Sequence, residues 1–223
     1  MASYRGHLAV GGATAAAGAA ALSAFTPITD TGTLSIIFGL TFMASLLPDF
    51  DSDSGVPFYF VFGTFTLALL TYITREVLLL TPDIRYRVAI PLIGLAIIWF
   101  VLGGIVKNIT HHRGMFHSIP ALFIAAFGTV LVASALLYNP IHAVLFGLAV
   151  GLGFLSHLLL DEVNSIVDFQ GLPFLPNKAF GSALKFWSSS LIASLFCYAI
   201  LAAVAYAALP TVLATIHNLS PYF

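Results

Sequence analysis

Long apolar runs dominate this chain. Several approach about 20 residues, the length that carries an α-helix across the hydrocarbon core of a bilayer. Little lies between them that water would hold. Of the 223 residues 60% are hydrophobic and 8% charged, against roughly 25% charged in ordinary soluble domains. A soluble globule of this size needs a charged coat that 8 basic and 9 acidic side chains cannot supply. The expected fold is all-α, a polytopic membrane helical bundle of about six to seven transmembrane helices. It would form a single integral membrane domain over 1–223, bounded by lipid. The formal net charge of −1 argues against the basic face that nucleic-acid binding requires. The lone cysteine, Cys197, excludes an internal disulfide framework and any Cys-pair zinc motif.

The apolar pattern predicts spans near 8–25, 33–47, 57–74, 88–106, 119–138, 141–160 and 188–209. Ser118 and Pro120 suit the N-cap and first turn of the fifth, and Asn139-Pro140 suits a tight turn into the sixth. Trp187 suits the membrane interface ahead of the seventh. The stretch 161–187 reads as an interfacial or re-entrant segment. Arg5 followed by an Ala-rich run also fits a signal peptide; His7 favours a retained first span.

Ionisable groups near a membrane are costly without partners, so the few present can be read one by one. With seven spans, one membrane face gathers His7, Asp49, Asp51, Asp53, His111, His112, His117, His157, Asp161, Glu162 and Asp168. The other holds Asp30, Glu76, Asp83, His142 and His217. The polar face is thus built from 5–7, 48–54, 111–118 and 156–168. Arg5, Lys107, Arg113, Lys178 and Lys185 share it, against Arg75, Arg85 and Arg87 opposite. That excess places it on the cytoplasmic side by the positive-inside rule.

Three pieces of this face carry chemistry. His157 and Asp161, four apart, share one helix face. They suit a two-ligand metal clip or, equally, a hydrogen-bonded helix cap. Asp49, Asp51 and Asp53 repel one another unless a cation or arginine offsets them, or form a solvated acidic turn. A calcium loop is excluded, because Ser54 and Phe60 stand where Gly and Glu are required. In His111-His112-Arg113-Gly114-Met115-Phe116-His117-Ser118, Gly114 lets His112 and His117 converge, and Arg113 offers a planar donor fork for phosphate. The alternative there is a basic membrane-edge anchor. A mixed His/Asp set suits Zn, Mn or Fe better than Ca or Mg. The surplus of ligands allows two or more ions, which would activate water and clamp a substrate. His142, His217 and the pair Arg75–Glu76 are read as structural or solvated.

These motifs resemble those of the YdjM family of bacterial and archaeal membrane proteins, described as membrane-bound metal-dependent hydrolases. The residues that carry the likeness are Gly6-His7, Leu46-Leu47-Pro48-Asp49-Phe50-Asp51, His112-Arg113-Gly114-Met115-Phe116-His117-Ser118 and Ser156-His157-Leu158-Leu159-Leu160-Asp161. Gly171 to Pro176 adds a fifth stretch. Ser52 stands where the family often has His, with Asp53 as a substitute ligand, and Asn164 where it often has Thr. A looser resemblance, to the zinc-dependent phospholipase C and nuclease group, suggests phosphoester hydrolysis.

The resemblance implies a prokaryotic inner-membrane enzyme in which His7, Asp49, Asp51, His112, His117, His157 and Asp161 hold divalent metal, zinc above others. Arg113 would stabilise charge on phosphate oxygens, and Asp53 or Glu162 would serve as base or as a hydrogen-bond partner behind the ligands. The substrate would be a lipid-like phosphoester or another membrane-associated small molecule. Two other readings stand beside this one: a transporter or ion-binding membrane protein, and a non-catalytic scaffold with a structural metal site.

Overall fold

In the computed structural model the described residues are 3–51, 56–104, 117–136, 138–166, 184–187 and 190–219, and no strand occurs among them. The helices are α1 (Tyr4–Phe25), α2 (Thr31–Ala44), α3 (Val56–Leu80), α4 (Ile84–Ala96), α5 (Ile119–Ala135), α6 (Pro140–Ile166) and α7 (Leu191–Leu219). A 3-10 turn covers Pro48–Asp51, and α4 runs on as a π-helical segment over Ile97–Leu102. Every expected span overlaps one of these helices, and the all-α membrane bundle is borne out.

The boundaries differ where side-chain caps decide them. Ser3 accepts from the Gly6 N–H and starts α1 at Tyr4, so His7 lies on the helix rather than ahead of it. Asp30 accepts from the Thr33 N–H at 2.7 Å and starts α2 two residues before the expected position. Ser118 caps α5, with Pro120 in its first turn, as the sequence suggests. At the far end of α6, Asn164 and Ser165 bond back to the carbonyls of Leu160 and Glu162. These local bonds satisfy polar side chains within the helix, which runs to Ile166 rather than stopping near 160. Asp161 and Glu162 are therefore helical residues and not part of a connecting segment.

Among the described residues, five stretches are long and apolar enough to cross a membrane: Tyr4–Phe25, Phe62–Leu80, Ile84–Val101, Pro140–Ile166 and Leu191–Asn218. The two shorter apolar helices, α2 and α5, have 14 and 17 residues. At 1.5 Å per residue a 14-residue helix covers only about 21 Å of a core about 30 Å thick. The turn after α2 thus begins well short of a full crossing.

The chain forms two compact units, Met1–Pro48 with Gly114–Phe223, and Asp49–Arg113. In the first, α6 is the central helix and packs on α1, α2, α5 and α7. Ile37, Val130, Ala133, Ala143, Phe146, Ala149 and Ala208 form its main core. Leu122, Phe154 and Leu158 form a second cluster, covered in part by Leu47, Ile119 and Leu184. Large apolar side chains such as Leu191, Ile192 and Phe196 on α7 face outward, as lipid-facing positions should.

The second unit is the α3–α4 hairpin. Asp83 caps α4, and the Arg87 Nε donates to the Thr81 carbonyl at 2.8 Å, closing the connection. Pro91 lies inside α4. The π-helical segment ends where the Gly103 N–H bonds to the Ile98 carbonyl, five residues back. Phe62 and Ile98 form its buried core, and Trp99 meets Phe62 with ring centroids 5.6 Å apart. Arg75 and Glu76 pair at the surface at 3.5 Å, in line with the sequence reading.

Candidate metal centre

Small residues let three helices of the first unit close around one point. A Cβ on Gly153 of α6 would land on the Thr41 carbonyl oxygen of α2, and one on Gly11 of α1 would land on the Ser45 hydroxyl. Both glycines are fixed by close approach, since any side chain there would force the helices apart. One turn along each helix lie His157 on α6 and His7 on α1. Their imidazole rings stack with centroids 3.7 Å apart and planes 11° from parallel. Each residue is 1% exposed.

Asp161, one turn beyond His157, faces both rings. Its Oδ1 is 3.4 Å from the His7 Nε2 and its Oδ2 is 3.6 Å from the His157 Nε2. His117 arrives from a different part of the chain, immediately before the Ser118 cap of α5. Its Nε2 is 3.9 Å from Asp161 Oδ2, and its ring meets that of His157 at 5.4 Å between centroids. Ligand atoms of His117, His157 and Asp161 all lie within 4.8 Å of one another.

The two readings of the His–Asp pair call for different separations. A charge-assisted N–H···O bond spans about 2.7–2.9 Å. Two ligands of a tetrahedral zinc, each about 2.0–2.1 Å from the ion, stand about 3.4 Å apart. The observed 3.4–3.9 Å matches ligands around an ion better than a hydrogen-bonded cap. The donor set, imidazole nitrogens with a carboxylate, suits the same ions. Asp161 Oδ1 faces the His7 imidazole, and Oδ2 faces those of His117 and His157.

One tautomer is set by the hydrogen bonding. The His157 Nδ1 lies 2.7 Å from the Ser45 carbonyl oxygen. A carbonyl only accepts, so Nδ1 carries a hydrogen, and in the neutral ring Nε2 would hold the lone pair that a metal needs. A backbone carbonyl orienting a ligand histidine is a recurrent feature of metal sites. Nothing in the sequence points to Ser45 for this role, because the group that acts is its backbone oxygen. The only trace is indirect: α2 is short, and its end falls beside the second motif.

Of the other residues singled out by the sequence, Asp49 lies in the 3-10 turn, directly after the buried Pro48, and is itself half-buried. It opens the second compact unit. Asp51 ends the same turn, and its side chain falls outside the described residues. His112, Arg113 and Asp53 also lie outside them, as do His111 and Asp168. Glu162 follows Asp161 on α6 and is half-buried. His142 takes the bland role expected of it, with its Nδ1 2.8 Å from the Asn139 side-chain oxygen.

The family model of the YdjM inner membrane protein matches residues 1–219. The chain belongs to the YdjM family. That match runs through all four motifs and agrees with an integral membrane protein carrying five helices of spanning length. No curated protein and no solved structure matches this YdjM chain.

Proposed function

We propose that this YdjM protein is a membrane-embedded, metal-dependent hydrolase that cleaves a phosphoester of a lipid-like substrate with activated water. One observation carries the reading. Three imidazoles and a carboxylate, drawn from α1, α6 and the segment before α5, share one largely buried point at ligand spacing. A divalent cation held among them would offset the buried charge of the carboxylate.

His117, His157, Asp161 and His7 would hold the metal, with zinc the best match and manganese or iron next. Asp49, Asp51 and His112 join them on sequence grounds. A bound divalent ion would lower the pKa of water and polarise a phosphoryl oxygen. The chain's own residues do the rest. The Ser45 carbonyl holds His157 in one tautomer. Asp161 offers both oxygens. Arg113 would neutralise charge developing on phosphate oxygens, and Asp53 or Glu162 would accept a proton. The His117 side chain is 16% exposed, while those of His157 and Asp161 are at most 2%. Substrate would therefore approach over His117.

That same burial favours a second reading, a structural metal site without an open coordination position. Purified protein in lipid nanodiscs separates the two. The hydrolase reading expects bound transition metal, release of phosphate or a phosphorylated headgroup from lipid seen by phosphorus NMR, and loss of both in His157→Ala. Bound metal without turnover of any lipid phosphoester would favour the structural site; absence of metal would sink both.

A further inference from the structure

The outer face of α3 holds an arginine that its neighbours satisfy only in part. Arg75 lies inside the spanning stretch Phe62–Leu80. The end of α3 at Leu80 is only about 8 Å further along the helix. A charge at that depth is costly without a partner, and a long side chain there can still reach the headgroups. The Arg75 side chain is 71% exposed. Among the described residues its one ionic partner is Glu76, through a single contact of Nη1 with Oε1 at 3.5 Å. A charge-assisted hydrogen bond spans about 2.7–2.9 Å, so most of the five-donor fork stays open.

Arg75 and Thr74 line a groove of about 610 Å³ along α3, walled by Leu67, Leu70, Leu78 and Leu79. Its volume falls in the range of small-molecule sites, roughly 300–1,000 Å³. Leu67 is 67% and Leu79 69% exposed, so the groove opens outward. From Arg75 back to Leu67 the helix covers about 12 Å, most of the hydrocarbon depth of one leaflet, about 15 Å. The groove is therefore apolar over much of the length of an acyl chain and cationic towards one end, and Glu76 lies outside its lining. A second copy seated on this face would bury the guanidinium against leucines, at a desolvation cost. A lipid phosphate would instead neutralise it through the parallel bonds that an arginine fork offers.

We propose that the α3 groove binds one anionic phospholipid, with its phosphate on Arg75 and one acyl chain laid along Leu70 and Leu67. In a zwitterionic lipid the choline offsets the phosphate charge, so the anionic lipid is preferred. The site belongs to the α3–α4 hairpin and does not depend on what the metal centre does. One arginine at a charged membrane surface corresponds to about fivefold enrichment of anionic lipid.

The chain has two tryptophans, Trp99 and Trp187. Tyr72 is 47% exposed and lies one turn before Arg75 on the same helix face. Y72W in a W99F/W187F background therefore sets a single indole beside the groove. This full-length protein is placed in vesicles of phosphatidylcholine with a minority of phosphatidylglycerol, and bromine is carried on the acyl chains of one lipid or the other. The expected result is stronger quenching per brominated lipid by phosphatidylglycerol, corresponding to about fivefold enrichment. Adding R75Q should make the two lipids quench equally, and R75K should keep a preference, which separates charge from folding. Adding R85Q should leave the preference whole, because Arg85 is exposed but does not line the groove. Equal quenching before R75Q is added, a preference that survives R75Q, or an equal loss in R85Q would overturn the proposal. So would a preference erased by inorganic phosphate, since Arg75 would then be reading a soluble anion. Absence of quenching by either lipid would also overturn it and give the face to a protein partner.

Discussion

The two ends of α6 carry the same kinds of residue and use them differently. Near its start, the His142 N–H and Nδ1 both meet the Asn139 side-chain oxygen, at 2.9 and 2.8 Å. Asp30, at the start of α2, accepts from Thr33 at 2.7 Å. These bonds are short, local in sequence and open to water. Near its end, His7, His117, His157 and Asp161 come from separate parts of the chain, stand 3.4–3.9 Å apart and are largely buried. The first set is explained once its caps are drawn. The second brings together residues remote in sequence, which capping does not do. A histidine and an acid at a helix end are thus uninformative by type; spacing and burial separate a local cap from a cluster that could hold a metal.

The largest effect should come from breaking the buried end. Asp161→Ala removes both oxygens that the imidazoles face, and metal content measured on purified protein should fall to background. His142→Ala, at the open end, should leave it unchanged. His7→Ala sharpens the comparison. His117, His157 and Asp161 still form a possible three-ligand group, so if the site holds two ions, content should drop to about half. A fall to zero would mean one shared ion.

The next effect tests the packing that sets the spacing. Gly153→Ala places a methyl on the Thr41 carbonyl. Overpacking of this kind costs about 1–3 kcal/mol. Thermal unfolding in detergent should show a clear drop in Tm, with weaker metal retention because His157 is one turn away. Gly39→Ala on the same α2 meets no atom within 4 Å and should leave both measurements at or above the parent value, since alanine gains up to about 1 kcal/mol in helix propensity.

Much of this was legible in the sequence because membrane helices write themselves as apolar runs, and because a charge within them must have a reason. The order of spans and the pairing of His157 with Asp161 follow from period and spacing alone. Convergence of His7 with His157 does not. They lie on helices far apart in sequence, each drawn close to α2 where Gly11 and Gly153 leave no room for a side chain. The Ser45 carbonyl was invisible, because every residue has such a group. Helix ends shifted wherever a polar side chain folded onto a nearby carbonyl, as at Asn164 and Ser165, which periodicity does not encode.

The smallest effect belongs to the open end. The backbone N–H of Thr33 holds the Asp30 carboxyl below its usual value of 3.8, its side chain acts in the same direction, and His142 adds a weaker pull. A carboxyl lowered in the folded state stabilises the fold at pH values above its unfolded pKa, and the contribution disappears as pH falls through the lowered value. Asp30→Ala should therefore lower Tm slightly at neutral pH. The gap between variant and parent should close on acidification below the ordinary carboxylate range. Metal content measured at neutral pH should not differ between the two. If Asp30→Ala also stripped the metal, the ends of α6 would be coupled, and burial alone would no longer account for their difference.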